Sequence, residues 1–460
     1  MPSFILALNR QFTALILFAY ALFFAWHSVL GPVRPLGNWD MLPYVGAAYG
    51  LTKSPGDLRS AALADIRRYV SDEQYRAITS GSDYRETVAR DDRAFLQRLP
   101  ISQVKPFYVL LTALVGAITG NLAMATVIVS ATGFFLIGLA LYLLRPAGNA
   151  GSFWLLAVIG IMYFGTPQFV LLAQASTPDS MAAGLLLLGL AAFLAKARVA
   201  MATVLYSLAV MSRPDYVIPI ALLAPVFLRS RMDDLCSKGG FYAVTGIPIC
   251  AFVLSKVLWP GYGLLYVSQY PADVDVYAAS ELYLTRLREN LEWLFTLPRF
   301  LLFVGASVLA FLASRDAYVR LLVLAASGNV IVRVLLFPFV DSGYAERYFF
   351  TSYFLTLIAL FRAFEASPFD LTRPPANPRL SRGAPEIRHH REGTKSEELL
   401  ASDTPNGKLR MSGSTTGLGH GLMLDLALNW ILPELRAKRV DATVQAEQRI
   451  DRAHRVPVGR

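Results

Sequence analysis

Long apolar runs alternate with short polar segments from about residue 11 to residue 366, a pattern typical of a helical membrane protein. A helix needs roughly 20 apolar residues to cross a hydrocarbon core of about 30 Å. The runs therefore predict an all-α, polytopic transmembrane bundle of about ten helices. Two of these helices are short, and Pro214 between them predicts a break or a tight turn. The expected spans are 11–31, 122–144, 152–172, 179–196, 199–212, 215–229, 240–258, 293–313, 318–339 and 346–364.

A long polar interruption, residues 32–121, separates the first two spans and carries both signs of charge in near balance. Within it, Leu58–Val70 and Arg85–Leu99 have apolar residues at helical spacing, which predicts amphipathic helices in the membrane interface. The segment Phe107–Ile118 is apolar but short for a span, and it predicts a re-entrant or interfacial helix.

Basic residues at alternate ends of the predicted spans set the expected orientation, because short cytoplasmic loops are enriched in Lys and Arg. Arg10, Arg145, Arg198, Arg315 and Arg362 follow this alternation. They predict that both termini are cytoplasmic and that residues 32–121, termed the first outer loop, lie on the other side. In a bacterial inner membrane, which we expect here, that side is the periplasm.

The composition agrees with this class, since 55% of residues are hydrophobic and only 17% are charged. The formal net charge is +10, and most of the excess basic residues lie in loops that are expected to be cytoplasmic. Basic residues there set the topology and contact anionic lipid, so the charge is a weak sign of nucleic-acid binding. Cys236 and Cys250 are too few for a disulfide framework, and we expect free thiols. No small-residue cleavage site follows the run from Thr13 to Leu30, which indicates a retained first helix.

Residues 367–460 differ in composition from the rest, because Pro, Arg, Ser, Gly and Glu dominate. This segment is predicted to be a cytoplasmic, largely disordered basic tail. Within it, 422–435 keeps apolar residues at helical spacing around Trp430 and predicts one amphipathic helix. The chain is thus expected to consist of a transmembrane domain, 1–366, and this tail.

Charged residues recur at the outer ends of the predicted spans, where an unpaired charge is costly and where the orientation rule does not place arginines. One explanation is that each charge serves only its immediate surroundings. Asp40 and Asp179 would stabilise helix N-termini, and the neighbouring charges would neutralise each other in the pairs Arg213–Asp215 and Glu346–Arg347. The convergence of so many charges favours a site that binds an anion through Lys and Arg. The residues are Asp40, Lys105, Asp179, Arg213, Asp215, Asp341, Glu346 and Arg347.

The order of these motifs resembles the GT-C superfamily of membrane glycosyltransferases. Within it, the protein O-mannosyltransferase-like and lipid A aminoarabinose transferase-like branch is the most similar, over about residues 10–365. The motifs are an Asp after the first helix, a long first outer loop with interfacial helices, Lys105-Pro106-Phe107-Tyr108, Pro178-Asp179 and Arg347-Tyr348. The resemblance implies a sugar carried on a polyprenyl phosphate, transferred at the outer membrane face.

By this resemblance, Asp40 is the general base that deprotonates the acceptor hydroxyl. Fixed cations stabilise the phosphate as it leaves, and Lys105, Arg213 and Arg347 are the expected phosphate ligands. Asp179, Asp215 and Glu346 are the expected acceptor-binding or supporting acids. A single displacement inverts the anomeric centre. The implied partners are the lipid-linked donor, a glycan or lipid acceptor and membrane lipids.

Three departures from the family pattern limit what the resemblance implies. Some members have two adjacent acidic residues where Met41 follows Asp40 here, so a divalent cation remains an open cofactor. Phe107 replaces the usual second proline of the lysine motif. Because no large soluble domain follows the last predicted span, a glycan or lipid acceptor is favoured over a folded protein.

Three other functions fit a charged outer face. A transporter or flippase of a lipid-linked glycan intermediate is the main alternative, although it is expected to have inverted repeats and charges near the bilayer midplane. A glycan polymerase or ligase is chemically close to the favoured function. A noncatalytic scaffold would use the charged face for docking.

His27 is expected to be a packed histidine, and the tail histidines are too loosely spaced for a metal site.

Overall fold

Every regular element in the described part of the chain is a helix, which confirms the all-α prediction for that part. The computed structural model describes residues 2–146, 149–162, 167–194, 198–232, 237–258, 276–336 and 345–365. The α-helices are α1 (Pro2–Val33), α2 (Met41–Tyr49), α3 (Leu58–Tyr69), α4 (Asp72–Ser80), α5 (Asp83–Arg90), α6 (Asp92–Gln103), α7 (Pro106–Thr119), α8 (Leu122–Leu143), α9 (Asn149–Gly160), α10 (Pro167–Leu171), α11 (Asp179–Leu194), α12 (Val199–Ser212), α13 (Val217–Leu222), α14 (Ala224–Met232), α15 (Lys238–Leu258), α16 (Val276–Thr296), α17 (Pro298–Ala313), α18 (Ala317–Leu336) and α19 (Phe350–Glu365). Short 3₁₀ helices are η1 (Pro55–Asp57), η2 (Pro214–Tyr216) and η3 (Ala345–Phe349).

Several of these helices are long and apolar enough to cross a membrane, and they indicate an integral membrane protein. Within the described residues, four helices qualify alone, namely α1 over Gln11–Val33, α8, α15 and α18. The bent pairs α6–α7 and α16–α17 raise the number to as many as six. The described helices therefore support four to six spans, and the predicted count of about ten is not confirmed.

Several predicted spans are interrupted in the structure. The span 215–229 is divided into α13 and α14 at Leu223, where Pro225 has no N–H to continue the hydrogen-bond ladder. The span 293–313 is broken at Leu297, the residue before Pro298, since proline disfavours the helical conformation of the residue that precedes it. The span 346–364 starts as η3 and becomes α-helical only at Phe350.

The region between α1 and α8 contains six α-helices, more than the sequence pattern predicted. Helix α3 confirms the amphipathic helix predicted from Leu58, and α7 confirms the apolar helix predicted from Phe107. The predicted helix Arg85–Leu99 is instead two helices, α5 and α6, separated at Asp91. The Asp91 carboxylate accepts a hydrogen bond of 2.8 Å from the Arg93 amide and so caps α6.

A small apolar core holds this region together and fixes the entry to α2. Met41, Leu42 and Val45 of α2 are fully buried, and they pack in one cluster with Ile66 of α3 and Phe95 of α6. A separate, larger core fills the bundle of longer helices. Because α2 begins immediately after Asp40, the small core determines where that carboxylate lies.

Asp65 of α3 is buried, which is unusual for a carboxylate without partners. The carboxylate accepts hydrogen bonds of 2.8 Å from the Tyr49 hydroxyl and 2.9 Å from the Leu122 amide, and it pairs with Arg68. The Leu122 amide is an otherwise unpaired donor at the start of α8. Asp65 therefore ties α3 to the first turn of α8.

Helices α8 and α11 approach each other at Gly133, where a Cβ would lie 2.2 Å from the Met181 amide nitrogen. We expect Gly133→Ala to lower the free energy of unfolding by about 1–3 kcal/mol, because the helices must separate. Gly246→Ala in α15 is the matched control, since its Cβ would meet no heavy atom within 4 Å. Thermal unfolding of both variants in lipid nanodiscs measures the difference. Equal stability of the two variants would contradict the close contact.

Candidate functional site

A cluster of acidic and basic side chains forms where five segments of the chain meet. Asp40 lies between α1 and α2, Lys105 between α6 and α7, and Asp179 begins α11. Arg213 and Asp215 lie at η2, and Arg347 lies in η3. The structure brings these six predicted site residues together and adds Arg333 of α18. We refer to these seven residues as the charged cluster.

Hydrogen bonds between residues 36–38 and residues 174–176 place Asp40 beside Asp179. The Leu36 amide donates a hydrogen bond of 2.9 Å to the Gln174 carbonyl. The Asn38 side chain accepts from the Ser176 amide at 2.7 Å and donates to the Ser176 carbonyl at 3.3 Å. Gly37 between them has φ +62°, a conformation that favours glycine. Asn38 therefore fixes the loop that carries Asp40 to the segment that leads into α11.

Hydroxyl groups hold the start of α11 against α8. Ser130 of α8 accepts from the Thr177 amide at 3.1 Å and donates to the Thr177 carbonyl at 2.8 Å. The Ser180 hydroxyl donates to the Ser130 carbonyl at 2.6 Å, and the Thr177 hydroxyl donates to the Asp179 carboxylate. Asp179 is 2% exposed, so its charge requires these partners and an ion pair.

Arg213 joins two carboxylates. It forms an ion pair with Asp179, and its Nε donates to Asp215 Oδ1 at 2.8 Å. The other oxygen of Asp215 accepts from Arg333 Nη1 at 2.5 Å. The adjacent Arg213–Asp215 pair that the sequence offered as a local explanation is present, but it is one link in a longer network. Both Arg213 and Asp215 are buried.

Arg333 was missed by the sequence analysis. It is 1% exposed and its Nε donates to Asn329 Oδ1 at 3.1 Å, while the Asn329 amide donates to the Ser352 hydroxyl at 2.8 Å. The signal was an arginine inside the apolar run 318–339, since an intramembrane charge is costly and marks a buried partner. Its partner, Asp215, is 118 residues away and could not be read from spacing.

Asp40 and Arg347 form the more accessible end of the charged cluster. Arg347 Nη1 lies 2.8 Å from Asp40 Oδ2 and 3.7 Å from Asp179 Oδ2. The Asp40 and Arg347 side chains are 24% and 17% exposed. The Tyr348 ring packs against both neighbouring guanidiniums, 4.4 Å from Arg213 and 5.2 Å from Arg347. This ion pair is therefore more exposed than the pairs around Arg213.

Lys105 differs from the arginines because no described carboxylate lies within 4 Å of its ammonium group. The ammonium donates to the Tyr44 hydroxyl and lies 4.8 Å from the centre of that ring. Tyr44 in turn packs edge-on against Tyr108 at 5.0 Å. Within the described part of the cluster, three carboxylates face three guanidiniums, and Lys105 supplies the surplus positive charge.

Burial and neighbouring charges shift the pKa of both accessible groups, which lie in segments between helices. Burial raises the pKa of the Asp40 carboxyl, but the Arg347 guanidinium and its hydrogen bond, with Lys105 and Arg98, together hold it below its ordinary value. Burial and the nearby Arg213 lower the pKa of Lys105 to about 7, although Asp40 and Asp215 oppose that shift. Asp40 is therefore ionised at neutral pH, and Lys105 is close to its titration midpoint.

The described residues contain no group of three or more His, Cys, Asp and Glu side chains placed to hold a metal ion. Each carboxylate of the charged cluster is engaged by an arginine instead. Asp341, the Glu346 side chain, and residues 366–460 with the predicted helix 422–435 lie outside the described part of the chain.

Comparison of the chain with known proteins gives no match to a family model, to a curated protein or to a solved structure.

Proposed function

We propose that this chain is an inverting, GT-C-like membrane glycosyltransferase that moves a sugar from a polyprenyl-phosphate donor to a glycan or lipid acceptor. The observation that supports the proposal most is the ion pair between Arg347 and Asp40, whose carboxylate is partly exposed. Beside this pair lies the ammonium group of Lys105, which has no carboxylate partner among the described residues. A base and an anion-binding group thus lie side by side at the end of apolar helices.

The cations have different roles in this proposal. Arg213 and Arg333 are already neutralised by buried carboxylates, so they hold the cluster in place rather than bind the phosphate directly. Lys105 and Arg347 are the groups that contact the phosphate of the donor. This refines the expectation from the sequence, which assigned Arg213 the same role as the other two.

The donor phosphate competes with Asp40 for Arg347. When Arg347 turns to the phosphate, Asp40 loses its principal ion-pair partner and becomes a stronger base. Asp40 then takes the proton of the acceptor hydroxyl as the acceptor oxygen bonds to the anomeric carbon. The bond from that carbon to the phosphate oxygen breaks, and polyprenyl phosphate leaves with its charge held by Lys105 and Arg347. Attack from the face opposite the phosphate inverts the anomeric centre.

The membrane arrangement is part of the same proposal. A bundle of about ten helices, with both termini cytoplasmic, places the charged cluster on the periplasmic side of a bacterial inner membrane. Arg145 follows the C-terminal end of α8, whereas Thr177, two residues before Asp179, hydrogen-bonds to Ser130 near the middle of that helix. In this proposal Arg145 therefore lies on the cytoplasmic side of the charged cluster. Helix α8 is 22 residues long, roughly 33 Å, which matches the hydrocarbon thickness.

The proposal is tested in liposomes that contain the purified chain and a panel of radiolabelled polyprenyl-phosphate sugars. Release of polyprenyl phosphate together with sugar transfer to an added glycan or lipid acceptor is the expected result. Movement of an intact donor across the bilayer, without cleavage, would instead support the transporter or flippase alternative. Protein-free liposomes give the background for both measurements.

The titration of Lys105 predicts how donor use depends on pH. Its pKa is lowered to about 7 in the free protein, so the ammonium is present below pH 7 and lost above it. We therefore expect kcat/KM for the donor to fall as the pH rises through about 7. The phosphate of the bound donor raises the pKa of Lys105, so kcat should fall only at higher pH. Rates at saturating and at low donor concentration measure the two profiles.

Lys105→Arg is the matched variant, because a guanidinium stays charged across this range. It should remove the decline of kcat/KM near pH 7. A wild-type profile that is flat from pH 6 to pH 9, or one that Lys105→Arg leaves unchanged, would contradict phosphate binding by Lys105.

A further inference from the structure

A separate cavity lies at the end of the helix bundle that is distant from the charged cluster. Its volume is about 540 Å³, within the range of sites for small organic ligands. The cavity lies beside Thr13 of α1, whereas Gly31, near the other end of α1, packs against Ala173. Thr13 and Gly31 are 18 residues apart, which is roughly 27 Å along the helix. The polar lining consists of Thr13, Arg145 and Ser152. The apolar lining includes Leu17, Leu143 and Leu155.

Arg145 is fixed in position before any ligand binds. Its Nη1 donates a hydrogen bond of 2.8 Å to the Tyr142 carbonyl, and the guanidinium stacks 3.8 Å from the centre of the Tyr142 ring. No described carboxylate lies within 4 Å of it. The remaining N–H groups of this planar cation are suited to a phosphate, which guanidiniums bind through two parallel hydrogen bonds.

Two further features of the cavity favour an anion. Gly151 and Ser152 lie in the first turn of α9, and a helix N-terminus carries partial positive charge. The hydroxyls of Ser152 and Thr13 lie 3.3 Å apart and supply additional hydrogen-bonding groups.

The apolar walls distinguish a lipid from a soluble anion. Leu17 and Leu155 line the same cavity as Arg145, and Leu143 beside them is 54% exposed on the outer surface of α8. In a membrane protein, an exposed apolar side chain at this position faces acyl chains. A ligand that carries a phosphate next to two hydrocarbon chains can contact both the polar lining and the apolar lining of the cavity.

We propose that this cavity binds the headgroup of an anionic phospholipid, with the phosphate on Arg145, Thr13 and Ser152 and the acyl chains along Leu17 and Leu143. The lipid belongs to the leaflet opposite the charged cluster. It would fill the space between α1, α8 and α9 and brace these helices against one another. This site is independent of the proposed transferase activity.

The test measures lipid retention by native mass spectrometry. The full chain is equilibrated in mixed vesicles of phosphatidylglycerol and phosphatidylcholine and released into mild detergent. We expect wild type to retain one phosphatidylglycerol, and Arg145→Gln to reduce that retention by about tenfold, in line with the loss of charge-assisted hydrogen bonds. Arg198→Gln removes another exposed arginine at a helix end and should retain the lipid as wild type does.

A second variant and a competitor complete the test. Ser152→Leu keeps Arg145 but fills the cavity, and it should also lose the lipid. Equal retention of the two lipids by wild type, or full retention by both Arg145→Gln and Ser152→Leu, would overturn the proposal. Displacement of phosphatidylglycerol by millimolar glycerol phosphate would also overturn it, because the site would then bind a soluble anion.

Discussion

Asp40→Asn is expected to lower the rate of sugar transfer by roughly a hundredfold or more, the size of effect that the loss of a general base produces. The amide cannot accept the acceptor proton, but it has nearly the same shape. Because Asp40 competes with the donor phosphate for Arg347 at 2.8 Å, the variant should bind polyprenyl phosphate as tightly as wild type or more tightly. A large fall in kcat without a rise in the donor KM is therefore the expected signature.

The matched control for this prediction is Asp92→Asn. Asp92 also pairs with an arginine, Arg59 at 2.6 Å, but its side chain is 56% exposed and it lies outside the charged cluster. Its loss should leave transfer close to the wild-type rate. If Asp40→Asn folds and retains full turnover, Asp40 is not the base.

Asp215→Leu is expected to lower the free energy of unfolding by about 3–5 kcal/mol, the cost of removing one partner from a buried ion pair. Arg213 keeps Asp179, but Arg333 is 1% exposed and would remain charged with Asn329 as its one hydrogen-bond acceptor among the described residues. The loss of stability thus comes mainly from Arg333 in α18 rather than from Arg213, which is close to Asp215 in sequence. Unfolding in nanodiscs, followed by tryptophan fluorescence, measures it.

The double variant Asp215→Leu with Arg333→Met is the informative control. It removes both buried charges and leaves apolar side chains of similar size, which often restores or exceeds the original stability. We expect it to recover most of the loss seen for Asp215→Leu alone. A double variant as unstable as the single one would show that Asp215 stabilises the chain by another route than its pair with Arg333.

Helical periodicity predicted individual helices well where one face of the helix is buried. Helix α3 begins at its predicted start, Leu58, because its apolar residues recur at helical spacing and bury one face. Helix α7, which was predicted from a continuous apolar run, begins one residue before its predicted start. The same pattern did not predict the interruptions at Asp91 and Leu223. These depend on a side-chain cap and on a missing proline N–H, which hydrophobicity alone does not report.

The sequence indicated which residues carry charge at the ends of apolar segments, but not how they pair. Arg347 is adjacent to Glu346 in sequence, yet it pairs with Asp40, 307 residues away, and also lies 3.7 Å from Asp179. Asp65 is buried, and its partners Tyr49 and Leu122 come from α2 and α8. Such pairings depend on helix packing, and a single sequence does not contain that information.

Binding of a lipid-linked donor by the charged cluster is tested with polyprenyl phosphate, the part of the donor that is the same for every candidate sugar. A polyprenyl phosphate with a photoreactive group next to the phosphate is irradiated with the membrane-embedded chain, and the labelled peptides are mapped. We expect labelling around Asp40, Lys105 and Arg347, abolished by excess polyprenyl phosphate but not by uncharged polyprenol. Labelling elsewhere, or equal competition by polyprenol, would show that the charged cluster does not bind the phosphate of a lipid-linked sugar.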